Sequence, residues 1–243
     1  MEIPLIFYFL LFAVAFLYSS VGHGGASGYL ALMALFNFAP EVMKPTALLL
    51  NIFVSMIAFI QYFRGGYFRW KLFLPFAIAS IPFSFLGGMI NIGGDIYKQI
   101  LGILLLFPVI RFIGFGNKDV AVTRPFQIYW ALLIGGVIGL LSGMIGIGGG
   151  IILSPILLLL HWANQKQAAA VCAAFIFVNS VSGLTGQLFQ RIEFSQNMYF
   201  FVIIAFAGGL AGSYLGSHRF NMIVLKRILA LVLFIASIKL LTV

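Results

Sequence analysis

The sequence predicts an all-α, polytopic membrane protein made of two homologous halves, and three observations carry that reading. Apolar residues make up 63% of the 243 residues and charged ones only 8%, where a soluble domain carries about a quarter charged residues. Charges, prolines and glycines cut the chain into ten apolar segments, most of them long enough to cross a bilayer. The order of long and short segments, with its glycine clusters, recurs in the second half. A chain this apolar lacks the polar surface to cover itself in water, which excludes ordinary cytosolic enzymes, disordered proteins and coiled coils.

In order, residues 3–21 form the first segment. It follows Glu2 rather than a basic start, and no small-residue cleavage site leads into a soluble domain, so it reads as a retained span and not a secretory signal. Segments near 26–39, 45–63, 72–91 and 96–113 complete the first half, and 125–145, 150–162, 167–190, 196–217 and 222–242 make the second. A hydrocarbon core of about 30 Å takes about 20 helical residues to cross. The segments at 26–39 and 150–162 fall short of that, which gives 8–10 transmembrane segments with glycine-broken short helices. Residues 1–243 form a single integral membrane domain, with internal repeats at about 1–116 and 125–243 and a short linker at 117–124.

The repeat is visible residue by residue. An offset of 124 lays Gly22, Gly24 and Gly25 on Gly146, Gly148 and Gly149, and Ile52-Phe53-Val54 on Ile176-Phe177-Val178. Further along the offset is 128, where Gly88 meets Gly216, Lys98 meets Lys226 and Ile100-Leu101 meets Ile228-Leu229. If the short segments cross, each half has five crossings and the halves are inverted. With the N-terminus outside, ten Lys and Arg then lie at inside ends and four at outside ends. If the short segments dip in and return, the better orientation gives only eight against six. Cytoplasmic loops favour Lys and Arg, so the charges favour inverted halves.

The same rule accounts for the net charge of +9, which forms no basic stripe or aromatic ladder for nucleic acid. Trp70, Trp130 and Trp162 fall at or near inside boundaries, as interfacial anchors do. Cys172, the one cysteine, allows no intramolecular disulfide and reads as packing.

The chemistry points to the glycine clusters, Gly22-His23-Gly24-Gly25-Ala26-Ser27 and Gly146-Ile147-Gly148-Gly149-Gly150. Such runs disfavour a continuous helix, and non-helical backbone survives in a membrane only where it is buried in protein or lines a wet cavity. Each cluster opens a short helix, whose free N–H groups and positive dipole end suit an anion. Paired broken helices in matching positions of two halves point to a transporter's central site. A second set of polar residues follows: Asn51, Ser55 and Gln61 on the third segment, and Asn179, Ser180, Ser182, Thr185 and Gln187 on the eighth. Polar groups are costly in hydrocarbon, so these face the protein interior.

His23 is the only titratable side chain inside a glycine cluster, and so almost the only in-membrane candidate for proton coupling. All five carboxylates, Glu2, Glu41, Asp95, Asp119 and Glu193, fall at segment ends or connections, and no HExxH, GxSxG or GxxxxGK[ST] motif occurs. The chain is therefore read as no enzyme, with no cofactor and no metal.

The duplicated unit, with Gly22-His23-Gly24-Gly25, Gly146 to Gly150 and then Ser154-Pro155, resembles the sulfite exporter TauE/SafE family of bacterial and archaeal membrane proteins. The run Ala207 to Gly216 is similar to that family's closing segments. The first copy departs from the pattern, with Ala26 and Ala31 where the second has Gly150 and Pro155.

The resemblance implies a secondary transporter, an exporter in many members, of small sulfur-containing anions such as sulfite or sulfoacetate. It also implies a home in the inner (plasma) membrane of a bacterium or archaeon. The substrate-binding candidates are Gly22, His23, Gly24, Gly25, Ser27, Asn51, Ser55, Gly146, Gly148, Gly149, Gly150, Asn179, Ser182 and Gln187. The expected partners are the anion and the lipid bilayer, with no nucleic acid; a homo-oligomer is compatible with the reading. An anion channel would use the same donors, and a membrane scaffold subunit would carry no flux.

Overall fold

The computed structural model of the chain describes residues 3–20, 24–114, 125–190, 196–216 and 222–242. Within them lie ten α-helices and no strand. The first half holds α1 (Leu5–Ser20), α2 (Ala26–Leu35), α3 (Pro40–Arg64), α4 (Trp70–Met89) and α5 (Gly94–Gly114). The second holds α6 (Ile128–Ile145), α7 (Gly150–Leu159), α8 (Gln165–Leu188), α9 (Gln196–Gly216) and α10 (Met222–Thr242). The predicted linker at 117–124 lies outside the described residues.

The predicted segments match these helices closely except at α3, which starts five residues before the predicted 45. Pro40 occupies its first turn, where a missing N–H costs nothing. Lys44, the charge at which the apolar reading began, is buried and donates to the Ile90 carbonyl at 3.2 Å, so the helix runs through it. At α8 the start is built by a reciprocal cap: Asn164 accepts from the Gln167 N–H while Gln167 accepts from the Asn164 N–H. Among the described residues α3, α4, α6 and α8 are each long and apolar enough to span a membrane, and α8 is the most enclosed of the four.

Helices in lipid gain little from apolar burial against one another, so association rests on close packing. Glycines one turn apart provide it here. Gly135, Gly139 and Gly143 of α6 face the carbonyls of Phe76, Ser80 and Ser84 of α4, and a Cβ on Gly135 would lie 2.7 Å from the Phe76 oxygen. Gly208 and Gly212 of α9 face the carbonyls of Phe12 and Phe16 of α1 in the same manner. Ser19 and Ser20 add bonds to the Gly209 and Gly212 carbonyls, at 2.7 and 3.0 Å.

The residue pairs also fix directions. Numbers rise together between α4 and α6, so those helices run parallel. They rise together between α4 and α8 as well: Asn179 donates to Ser80 at 3.0 Å, Ser182 to the Ile81 carbonyl at 2.6 Å and Gln190 to the Gly88 carbonyl at 3.4 Å. With α6 and α8 parallel, residues 146–164 must run back between them. A Cβ on Gly149 would lie 2.6 Å from Ile138, so the non-helical chain has already returned to the middle of α6 before α7 begins. Trp162, just past α7, packs on Phe76 and Phe126 at the starting end, with ring centroids 6.4 and 5.1 Å away. The short segment thus completes a return through the bundle, part non-helical and part helical.

Exchanging α1–α5 for α6–α10 carries the main helix pairs onto one another. The α1–α9 pair becomes α6–α4, α3–α9 becomes α8–α4, and α2–α10 becomes α7–α5, while α3–α8 and α5–α10 map onto themselves. One apolar core gathers α1, α2, α3, α5, α9 and α10, and a second gathers α4, α6, α7 and α8. The outer rim exposes large apolar side chains such as Ile78, Ile103, Leu133 and Ile203. Trp70 and Trp130 open α4 and α6 at one end of the bundle, 55% and 56% exposed as anchors require. Trp162 sits at that end but is buried, because the Phe76–Phe126 ring cluster encloses it, and it is a core residue instead of an anchor.

Candidate functional site

The second glycine break is a non-helical stretch that enters the middle of the bundle. Gly146, Gly148 and Gly149 have φ of 88°, 76° and 76°, a region that side-chain-bearing residues adopt at a cost. Gly149 is the left-handed N-cap of α7 and provides no side-chain cap. Its carbonyl accepts from Ile152 and Leu153, while the N–H groups of Gly148, Gly149, Gly150 and Ile151 take no backbone bond among the described residues. The first break is built alike: Gly25, with φ of 89°, caps α2 and supplies no side-chain bond. Ser27, in the first turn of α2, is hydrogen-bonded to the Tyr18 hydroxyl at 2.7 Å, which ties α2 to α1.

Both breaks converge on the same two side chains. A Cβ on Gly24 would lie 3.1 Å from Ile176 and 3.3 Å from Asn51 Oδ1. A Cβ on Gly148 would lie 2.6 Å from Asn51 Nδ2, 3.0 Å from Ile176 and 3.2 Å from Ser180 Oγ. Asn51 of α3 and Ile176 of α8 therefore face each other between the two glycine loops. Asn51 donates only a long bond, 3.5 Å, to the Ile147 carbonyl. Ser55, one turn beyond it, and Ser180, one turn beyond Ile176, continue the two facing stripes.

The polar atoms here are buried without partners. Asn51, Ser55 and Ser180 are fully buried, and Asn51 Oδ1, Ser55 Oγ and Ser180 Oγ accept and donate no hydrogen bond among the described residues. A buried polar atom left unpaired costs about 1–3 kcal/mol, so three around one point need an explanation. A ligand held by uncharged hydroxyl and amide donors supplies one. Neutral donors beside two helix N-termini hold an anion without the depth of an ion pair, which suits an anion that must also leave.

The other candidates lie elsewhere. Asn179 spends both amide hydrogens, on Ser80 Oγ at 3.0 Å and the Phe175 carbonyl at 2.8 Å, and its backbone carbonyl accepts from Ser84, while its Oδ1 has no partner among the described residues. Ser182 bonds the Ile81 carbonyl, and Gln187 reaches the Gly143 carbonyl at 3.5 Å. These three staple α8 to α4 and α6. Gly149 packs against Ile138 and Phe175, and Gly150 against Ile176 and the Cys172 carbonyl. Gly146 packs against the Lys44 backbone. Gly22 and His23 lie outside the described residues.

Pairing the two asparagines by identity, at an offset of 128, hides the structural correspondence. Asn51 and Ile176 face the same loops, and Val54 meets Gly209 of α9 as Asn179 meets Ser80 of α4. The working offset between α3 and α8 is 125, which corrects the 124 that laid Ile52 on Ile176 and also lays Ser55 on Ser180. Sequence reasoning named Ser180 among the polar residues of the eighth segment without making it a substrate-binding candidate, and it gave Ile176 no such role; their spacing of one turn, matching Asn51 and Ser55, was the available signal. Among the described residues no group of three or more His, Cys, Asp or Glu gathers as a metal site.

The family model described as sulfite exporter TauE/SafE matches residues 7–240. The chain is similar to the Sinorhizobium fredii protein named "Probable membrane transporter protein y4hK", 35% identical over 95% of this chain and 95% of that one. It is also similar to "Probable membrane transporter protein MJ0441" of Methanocaldococcus jannaschii, 30% identical over 75% of this chain and 71% of that one. A Bacillus subtilis relative, "Probable membrane transporter protein YjnA", is 25% identical over 90% and 92% of the two chains. No solved structure matches the chain.

Proposed function

Since the chain belongs to the sulfite exporter TauE/SafE family, we propose that this membrane transporter is a secondary carrier, working as an exporter, of small sulfur-containing anions such as sulfite or sulfoacetate. The observation that carries the reading is the convergence of both glycine breaks on Asn51 and Ile176, beside three buried polar atoms without partners. The substrate's oxygens would take hydrogen bonds from Asn51 Nδ2, the Ser55 and Ser180 hydroxyls and N–H groups of the breaks. None of these groups moves a proton or makes a covalent bond, so the anion leaves as it came.

We read the two halves as inverted repeats, rocking about the site to give alternating access. The exchange of packing between halves supports this. So does the return of the chain through 146–164, which gives each half an odd number of passes if α2 behaves as α7 does. The apolar outer rim fits a lipid bilayer, and relatives in bacteria and an archaeon favour the inner (plasma) membrane.

The test is uptake and counterflow of labelled sulfite and sulfoacetate in proteoliposomes holding only this protein. Saturable counterflow is expected. Steady anion current without counterflow would make it a channel, and no flux from folded, inserted protein would favour a scaffold subunit.

A further inference from the structure

The site described above is neutral, yet one cation lies beside its approach. Among the described residues Lys44 is the only charged side chain that is buried. Its Nζ donates to the Ile90 carbonyl, just past the end of α4, at 3.2 Å, and it has no carboxylate within ion-pair distance there; Asp95 with Lys98 is the only such pair among them. Glu41, one turn earlier on α3, is exposed. A buried cation without an anionic partner is costly, and a transient anionic partner offsets that cost.

Its placement says which anion. Lys44, Leu48, Asn51 and Ser55 follow one another at helical spacing along one face of α3, so Lys44 lies two turns, about 10 Å, from Asn51. The non-helical stretch at 146–148 runs beside that face over the same interval. A Cβ on Gly146 would lie 3.0 Å from the Lys44 carbonyl, the Ile147 carbonyl accepts from Asn51, and a Cβ on Gly148 would lie 2.6 Å from Asn51 Nδ2. The glycine stretch therefore packs along the α3 face from Lys44 to Asn51, with the Lys44 ammonium at one end, on the Ile90 carbonyl, and the neutral donors two turns away.

We propose that the substrate passes along this face of α3 and that Lys44 is its anion-receiving residue: it holds the substrate's charged group on the way to or from Asn51 and selects anions over neutral solutes. The proposal rests on the central-site reading given above. The ammonium rests on the Ile90 carbonyl, a neutral acceptor it can leave.

The competing role is a helix cap, and the structure holds its own control. Lys239 likewise donates to a helix-end carbonyl, that of Leu35 at 2.8 Å, but from α10 and away from the Asn51 stripe. The experiment reads the rise in Tm of purified protein with sodium sulfite, against sodium chloride at equal ionic strength, and takes the concentration of half effect. Lys44→Gln is expected to raise that concentration about tenfold, Lys44→Arg to change it little and Lys239→Gln not at all. Asn51→Ala is expected to weaken sulfite as well.

If Asn51→Ala weakens sulfite and Lys44→Gln does not, the Lys44 proposal falls and the central site stands. If Lys44→Gln weakens it and Asn51→Ala does not, sulfite binds at Lys44 without reaching Asn51, and the central reading falls together with the proposed passage between them. Equal weakening by Lys239→Gln overturns the specific role, and no sulfite effect on the parent protein overturns both. Lys44→Met, which keeps the aliphatic stem, replaces Lys44→Gln if that variant does not fold. Failure of both neutral variants to fold would make Lys44 a structural cap.

Discussion

The facing stripes of α3 and α8 occupy equivalent places in the two halves but differ in chemistry. Both touch Gly24 and Gly148, and both carry a serine one turn further on. At the position nearest the glycines α3 has Asn51, with an unpaired oxygen, and α8 has Ile176. The asparagine of α8 lies three residues later and is committed to α4. A repeated frame can thus serve an asymmetric site: backbone geometry is shared, while polarity comes mainly from the first half. Ile176 places an apolar side chain where α3 has the asparagine, so one side of the space between the glycine breaks is apolar.

The comparison can be broken at six positions, from the largest effect to the smallest. Gly148→Ala places a Cβ against Asn51 at a φ of 76°, and should reduce sulfite counterflow about a hundredfold in reconstituted folded protein. Gly24→Ala, with no positive φ and gentler contacts, should cost much less; equal losses would show that the two breaks do not differ. Asn51→Ala should weaken sulfite about tenfold with little change in stability, because it removes an atom that was already unpaired.

Asn179→Ala should do the reverse, losing about 1–3 kcal/mol of stability with unchanged KM, as read by denaturation and by uptake. Ile176→Asn makes the two faces alike. It should weaken sulfoacetate relative to sulfite about fourfold, the worth of one methylene, in competition assays. Ser182→Ala, at an exposed helix contact, should change stability by about 0.5 kcal/mol or less and leave transport intact.

Much of the fold was legible. A segment such as 222–242 was readable to the residue because helix ends and membrane length impose charges and turns at fixed spacing. The glycine breaks were legible for a related reason, since only glycine accepts the backbone angles at Gly148 and Gly149. Asn51 and Ser55 were legible as a buried polar pair one turn apart. Asn179, Ser182 and Gln187 carried the same signal and serve a different end. A buried polar residue announces that it has a partner, and its sequence does not say whether the partner is a ligand or a neighbouring helix. Lys44 was misread as a boundary, because a single charge between apolar runs looks like a loop until a carbonyl such as that of Ile90 is brought to it.

Composition and periodicity alone determined that this chain lives in a bilayer, that it is helical, and that it bends at two matched glycine clusters. Those properties depend on transfer cost and local backbone sterics, which act on residues near one another in the chain. Tertiary structure decided that both clusters meet at one point, that Ile176 and not Asn179 stands opposite Asn51, and that Lys44 shares the stripe leading there. Those facts depend on helix rotation and direction. Both are set by glycines of α6 and α9 closing on carbonyls of α4 and α1, more than 50 residues away in sequence.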